Sequence, residues 1–282
     1  MKVKLNGCEI YYEVHGNPDN ETIFIIHGGP GMSDCRGDVH SFKALADGYQ
    51  LVFLDNRGSG RSEEVPPYTH EQWTADIDAL RAHLGIEKIT ILGGSYGGYL
   101  SLEYVLRYSE RVNKVILRDT AANDRYTDLS MQKALDSKLP GINEEMLERL
   151  FTGKVRSNEE FREMIKAILP LYTVKFDEAK ANEKLDNIFF HYQTHNYAFS
   201  VNKQSYDVSG RLGEIKVPVL ITVGVHDWVT PVECSDELAG GIPNNQYVKF
   251  MNSGHSPQIE ENEKYIKLVR DFLLATDVSA SA

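Results

Sequence analysis

The sequence predicts an α/β fold: a mostly parallel central sheet flanked by helices, with an inserted helical cap. Short apolar runs alternate with helical patterns through the first 118 residues. The alternation stops at Thr120, and the chain stays charged and helical in texture to Val208 before buried-strand patterns resume at Val217. At 282 residues the chain is long for one compact domain and short for two of ordinary size. A core domain of residues 1–119 and 209–282 carrying a cap of residues 120–208 accommodates all three observations.

The elements follow in order. Val3 to Leu5 and Glu9 to Val14 read as two strands joined by an Asn6-Gly7 hairpin turn. Thr22 to Ile26 and Leu51 to Leu54 are continuous apolar runs, as expected of strands covered on both faces. His70 to Leu84 places Trp73, Ile77, Leu80 and Leu84 at helical spacing and stops at Gly85. Lys88 to Leu92 and Val112 to Leu117 are strands on either side of a helix from Ser95 to Tyr108. Within the cap, Asn143 to Phe151, Asn158 to Leu169 and Asp177 to Phe190 each carry an apolar stripe and are expected to be helices. Beyond it, strands at Val217 to Val223 and Gln246 to Met251 alternate with helices at Pro231 to Ala239 and Pro257 to Leu274. The small, polar Ser279 to Ala282 reads as a loose tail.

Composition removes several function classes. A formal net charge of −11 repels phosphate backbones, so no nucleic-acid partner is expected. No run of about 18 apolar residues is present to span a membrane, and the first residues lack the apolar stretch of a signal peptide. The expected location is cytoplasmic. The three cysteines, Cys8, Cys35 and Cys234, are far apart and form no CxxC pair, so neither a disulfide framework nor a zinc site is expected. No metal-ligand cluster stands out, and the chemistry below needs no cofactor.

Gly93-Gly94-Ser95-Tyr96-Gly97-Gly98 follows a strand and opens a helix, which is the setting of a nucleophile elbow. The strand must turn sharply with the serine at its apex, leaving no room for side chains two positions away on either side, hence Gly93 and Gly97; Gly98 lets the helix approach the sheet. At a helix N-terminus the partial positive charge favours a developing anion near Ser95. A phosphate loop would need a following Gly-Lys-Ser/Thr, which is missing.

An unassisted serine hydroxyl is a weak nucleophile and needs a base and an orienting acid. In the chain order Ser, Asp, His the acid follows a late strand and the base follows the last one. Asp227 lies just after Leu220 to Val223, and His255 just after Val248 to Met251. Asp119, at the end of the preceding strand, is the rival acid; His226 is a neighbour of Asp227 that points elsewhere. An oxyanion hole needs backbone N–H groups aimed at the reacting carbonyl oxygen. Tyr96, the residue after the nucleophile, is one donor; Gly29 is the choice for the other, with Gly28 second, from the loop His27-Gly28-Gly29-Pro30-Gly31.

Together His27 to Ser33, Asp55-Asn-Arg-Gly-Ser-Gly-Arg-Ser62, Gly93 to Gly98 and the Asp227 and His255 loops resemble the α/β-hydrolase family that includes the proline iminopeptidases. The resemblance covers nearly the whole chain outside the cap. It implies the α/β-hydrolase fold, structural ion pairs for Arg57 and Arg61 behind the active site, and acyl transfer through Ser95 on a small-molecule or short-peptide substrate. It further implies release of an N-terminal residue, with glutamates of the cap binding the free amino group. Here Trp228 follows Asp227 where some relatives carry an acid, and Asn187 to Tyr192 is aromatic. The pocket therefore reads as more aromatic than anionic, with Trp228, Phe189 and Tyr192 as candidate lining, and Phe189, Phe190 and Tyr192 alternatively as packing between cap and core. A carboxylesterase or lactonase for uncharged substrates is the alternative; a non-catalytic ligand-binding protein is the remote one.

Overall fold

The computed structural model describes residues 1–275; the expected tail at Ser279 to Ala282 lies outside them. Eight strands form one sheet: β1 (Lys2–Leu5), β2 (Cys8–His15), β3 (Thr22–Ile26), β4 (Gln50–Leu54), β5 (Ile89–Gly94), β6 (Val112–Arg118), β7 (Val219–Gly224) and β8 (Asn245–Phe250). Their spatial order is β1-β2-β4-β3-β5-β6-β7-β8. β1 and β2 pair antiparallel, as do β2 and β4; every later pairing is parallel. The β1–β2 turn has φ 48° at Asn6 and 77° at Gly7, the conformation that an Asn-Gly turn supplies at least cost.

β3, β4, β5 and β7 are buried along their whole length because helices cover both faces. Alternate residues serve opposite faces. Phe24, Ile26, Val52 and Ile91 pack with α2 (His70–His83), α3 (Tyr96–Arg107) and α10 (Val232–Gly241). Ile23, Ile25, Leu51, Phe53 and Leu92 pack with α1 (Arg36–Phe42) and α12 (Asn262–Leu274). Between β6 and β7 run α4 (Thr127–Asp136), α5 (Glu144–Phe151), α6 (Asn158–Ile168), α7 (Glu178–Asp186) and α8 (Tyr192–Tyr197). A π turn at Ala198–Asn202 joins α8 to α9 (Lys203–Ser205). Asn143, Ser157 and Asp177 cap α5, α6 and α7 by accepting from backbone N–H groups of the first turn. Leu147, Leu150, Phe161, Ile165 and Leu185 of these helices share a third apolar cluster with Trp228.

Two expected helices are shorter in the structure. The stretch from Asp177 to Phe190 stops as a helix at Asp186, since the Asn187 carbonyl accepts from the Arg36 guanidinium and the His191 N–H donates to Gly31 O. These tertiary bonds replace the helical ones. Pro257 to Leu274 is broken at Glu261 (φ −124°, ψ 45°) into α11 (Pro257–Glu260) and α12. At the break the Glu260 and Glu261 carboxylates accept from Gly254 N, at 2.7 Å, and Ser253 Oγ, at 2.7 Å, tying the helix to the loop before it.

The segment Asp55 to Ser62 is a scaffold of ion pairs. Burial would raise the Asp55 carboxyl, but the Arg61 guanidinium and the backbone N–H groups of Cys35 and Arg61 outweigh it and hold it below the usual carboxylate range. Arg57 and Asp76 form a two-pronged pair, 2.6 and 2.9 Å, with side chains 1% and 2% exposed. Removing one member of such a pair strands the other without its counter-charge. Asp76→Ala is expected to cost about 3–5 kcal/mol in urea unfolding; a loss under about 1 kcal/mol would show that water replaces the carboxylate.

Candidate active site

Parallel strands aim their carboxyl ends at one edge of the sheet, and the crevice outside that edge is where open α/β sheets place ligands. Ser95 follows β5, Asp119 follows β6, Asp227 follows β7 and His255 follows β8. A cavity of about 640 Å³ opens at this edge, and Gly28, Gly29, Ser95, Tyr96, Trp228 and His255 all line it.

Ser95 has φ 54° and ψ −125°, a conformation few non-glycine residues adopt. Three contacts hold it there. Its N–H donates to Arg118 O at 2.9 Å, its carbonyl accepts from Thr120 Oγ1 at 2.7 Å, and Gly98 N donates to the same carbonyl at 2.9 Å. A Cβ at Gly93 would strike the backbone of Gly97, and one at Gly97 would strike Ile26 O, so both positions require glycine.

Asp227 is fully buried and saturated with donors. Its Oδ1 accepts from Val229 N at 2.8 Å and Thr230 N at 3.2 Å, and its Oδ2 from Thr230 Oγ1 at 2.7 Å and His255 Nδ1 at 2.8 Å. The imidazole is thereby oriented with Nδ1 toward the acid, leaving Nε2 as the free nitrogen. His255 is 5% exposed, and Tyr172 fixes it by accepting its backbone N–H at 2.9 Å and packing its ring edge-on at 5.4 Å. Asp119, the rival acid, lies close by: ligand atoms of Asp119, Asp227 and His255 fall within 4.8 Å of one another. Asp119 Oδ1 accepts from Gly224 N at 2.9 Å, whereas Oδ2 has no partner among the described residues. Burial, then the Asp227 charge, push its carboxyl up to about 7.

The glycine loop is held against the elbow. A Cβ on Gly28 would lie 2.9 Å from Ser95 Cβ and 3.3 Å from Tyr96 N, and Gly29 has φ 56°. His27 locks the turn: its Nε2 accepts from Asn56 N at 2.9 Å and its Nδ1 donates to Gly28 O at 2.7 Å. Tyr96 is the first residue of α3, so its N–H has no acceptor within the helix.

The sequence-based pocket residues divide. Trp228 lines the cavity, 4% exposed, edge-on to Phe151 at 6.0 Å and Tyr172 at 5.8 Å, with Nε1 unpartnered among the described residues. Phe189 and Tyr192 are not among the lining side chains. Phe189 is 46% exposed beneath the Arg36 guanidinium, and Tyr192 packs against the apolar cluster of α5 and α6. The helix expected from Asp177 to Phe190 ends at Asp186, before Phe189, and Tyr192 opens the separate helix α8. The apolar wall comes instead from Tyr99, Phe151, Ile165, Ile168 and Phe199, together with Trp228. Phe151, Ile165 and Ile168 lie on the apolar stripes already visible in the sequence; Tyr99 and Phe199 stand out only through their packing on Tyr96.

This sheet order, with a serine on a strained strand-to-helix turn, is the arrangement of an α/β-type hydrolase. The chain belongs to the family described as the alpha/beta hydrolase fold, whose model matches residues 21–262. It is 34% identical over 276 residues to the proline iminopeptidase PfmaB of Pestalotiopsis fici, covering 96% of this chain and 98% of that one. Against the proline iminopeptidase of Lactobacillus crispatus it is 29% identical over 291 residues, covering 96% and 97%. The enol-lactonase of Burkholderia xenovorans shares the fold, with a TM-score of 0.78 at 24% identity over 98% of this chain and 100% of that one. Among the described residues no helix is long and apolar enough to cross a membrane.

Proposed function

We propose that this hydrolase is a serine enzyme working through an acyl-enzyme intermediate, with Ser95 as nucleophile, His255 as base and Asp227 as the acid that orients it. The observation that carries the reading is the 2.8 Å His255 Nδ1–Asp227 Oδ2 bond in a cavity that also exposes Ser95 at its strained turn. In the first step His255 Nε2 takes the hydroxyl proton as Ser95 Oγ attacks the substrate carbonyl. The N–H of Tyr96, at the positive end of α3, and that of Gly29, from the loop after β3, stabilise the oxyanion. The imidazolium, balanced by Asp227, then protonates the leaving group, and water repeats the sequence to release the acid. Residues 120–208 act as a cap over a core of residues 1–119 and 209–282. Tyr172, Phe151 and Phe199 line the cavity from the cap side. Three buried, unpaired cysteines agree with a cytoplasmic setting.

Removal of an N-terminal residue, often proline, from short peptides is the first substrate reading, supported by the relatives' activity. A second reading, an esterase or lactonase, rests on the wall of Tyr99, Phe151, Phe199 and Trp228 beside the nucleophile. Hydrolysis of proline p-nitroanilide and p-nitrophenyl butyrate separates them. Efficient anilide cleavage is the expected result of the first reading; cleavage of the ester alone would establish the second.

A further inference from the structure

Beside the nucleophile the cavity holds a buried guanidinium that nothing in the mechanism uses. Arg118 ends β6 and pairs in register with Gly94; a Cβ on Gly94 would strike its guanidinium. Its side chain is 7% exposed, and no hydrogen bond from it to any described residue is present. Nε is buried without a partner, and the nearest carboxylate oxygen, Asp38 Oδ1, is 3.7 Å from Nη2, beyond hydrogen-bonding distance. A buried cation left so poorly satisfied is costly unless something completes it. Gln258 of α11, 5% exposed, also lines the cavity, and its Oε1 has no partner among the described residues.

Arg36 is neutralised by a two-pronged bond to Asp34. That leaves Asp38, whose carboxyl burial pushes up, facing both Arg118 and Lys184 of α7. Arg118 and Lys184 share Asp38 as their near carboxylate, while Glu183 lines the same cavity. A guanidinium with free N–H groups is shaped to hold a carboxylate through paired bonds.

We propose that Arg118, with Lys184, forms a subsite for a free carboxylate on the substrate, a few atoms from the scissile carbonyl. This rests on the serine-hydrolase reading and narrows its substrate class to acidic acyl or leaving groups. Two matched pairs test it: p-nitrophenyl hemisuccinate against p-nitrophenyl butyrate, for a carboxylate on the acyl side, and prolylglycine against prolylglycinamide, for one on the leaving side. At least one pair is expected to favour its acidic member by about tenfold in kcat/KM, mostly through KM. Arg118→Met is expected to erase that ratio and Arg118→Lys to restore part of it. Lys184→Gln, on the exposed side of α7, is expected to reduce it about threefold and serves if Arg118→Met does not fold. Ratios near one in both pairs, or a ratio unmoved by the folded variants, would overturn the subsite while the neutral substrates still report a working hydrolase. No cleavage of any of the four would count against the hydrolase reading instead.

Discussion

Ser95→Ala is expected to lower kcat/KM for every cleaved substrate by about 10⁴-fold or more, with the fold retained. The loss is large because the hydroxyl forms the bond that splits one difficult hydrolysis into two easier steps. What survives is binding and the oxyanion donors, which accelerate attack by water only weakly. Stability should change by less than about 0.5 kcal/mol, since alanine keeps the backbone contacts to Arg118 O, Thr120 Oγ1 and Gly98 N that hold the turn. Kinetics and thermal melting on the same preparation check both halves. Activity within tenfold of the parent would remove Ser95 from the chemistry.

Asp227→Asn is expected to lower kcat by about 10⁴-fold, and Asp119→Asn by less than tenfold. Both carboxylates lie within 4.8 Å of the imidazole, but among the described residues only Asp227 is hydrogen-bonded to it, at 2.8 Å. Their surroundings differ as well. Asp227 is held by Val229 N, Thr230 N and Thr230 Oγ1 with one oxygen on His255 Nδ1. An amide there would turn an N–H toward the ring or weaken its grip, favouring the wrong tautomer. Asp119 has one oxygen on Gly224 N and the other without a partner, and burial with the Asp227 charge pushes its carboxyl up to about 7. A carboxyl pushed up in this way carries less charge near neutral pH than Asp227 and serves poorly as a counter-ion to an imidazolium. Stopped-flow or steady-state rates for the two variants, measured at pH 7 and 8, decide the assignment. A larger loss at Asp119 than at Asp227 would exchange their roles.

The core was legible in the sequence because its signals are local. Thr22 to Ile26 and Leu51 to Leu54 must be buried on both faces, and Gly93 to Gly98 must be a tight strand-to-helix turn, whatever the rest of the chain does. Counting strands forward from that turn reached Asp227 and His255. The cavity wall was not legible in the same way. The aromatic run at Phe189, Phe190 and Tyr192 has helical spacing, but Arg36 and Gly31, more than 150 residues upstream, capture the backbone at Asn187 and His191 and end the helix. α1 carries Asp38 and Ser41 among its buried residues and shows no apolar stripe. Asp38, Arg118 and Lys184 come from three separate elements, so no spacing in the chain announces that they meet.

The most direct test is covalent labelling with a fluorophosphonate, followed by intact mass and peptide mapping of the parent and of Ser95→Ala. The expected result is one adduct per chain, on the peptide containing Ser95, absent from the variant and greatly slowed in His255→Ala. Labelling at another residue, or equal labelling of the Ser95→Ala variant, would contradict the assignment of Ser95 as the nucleophile.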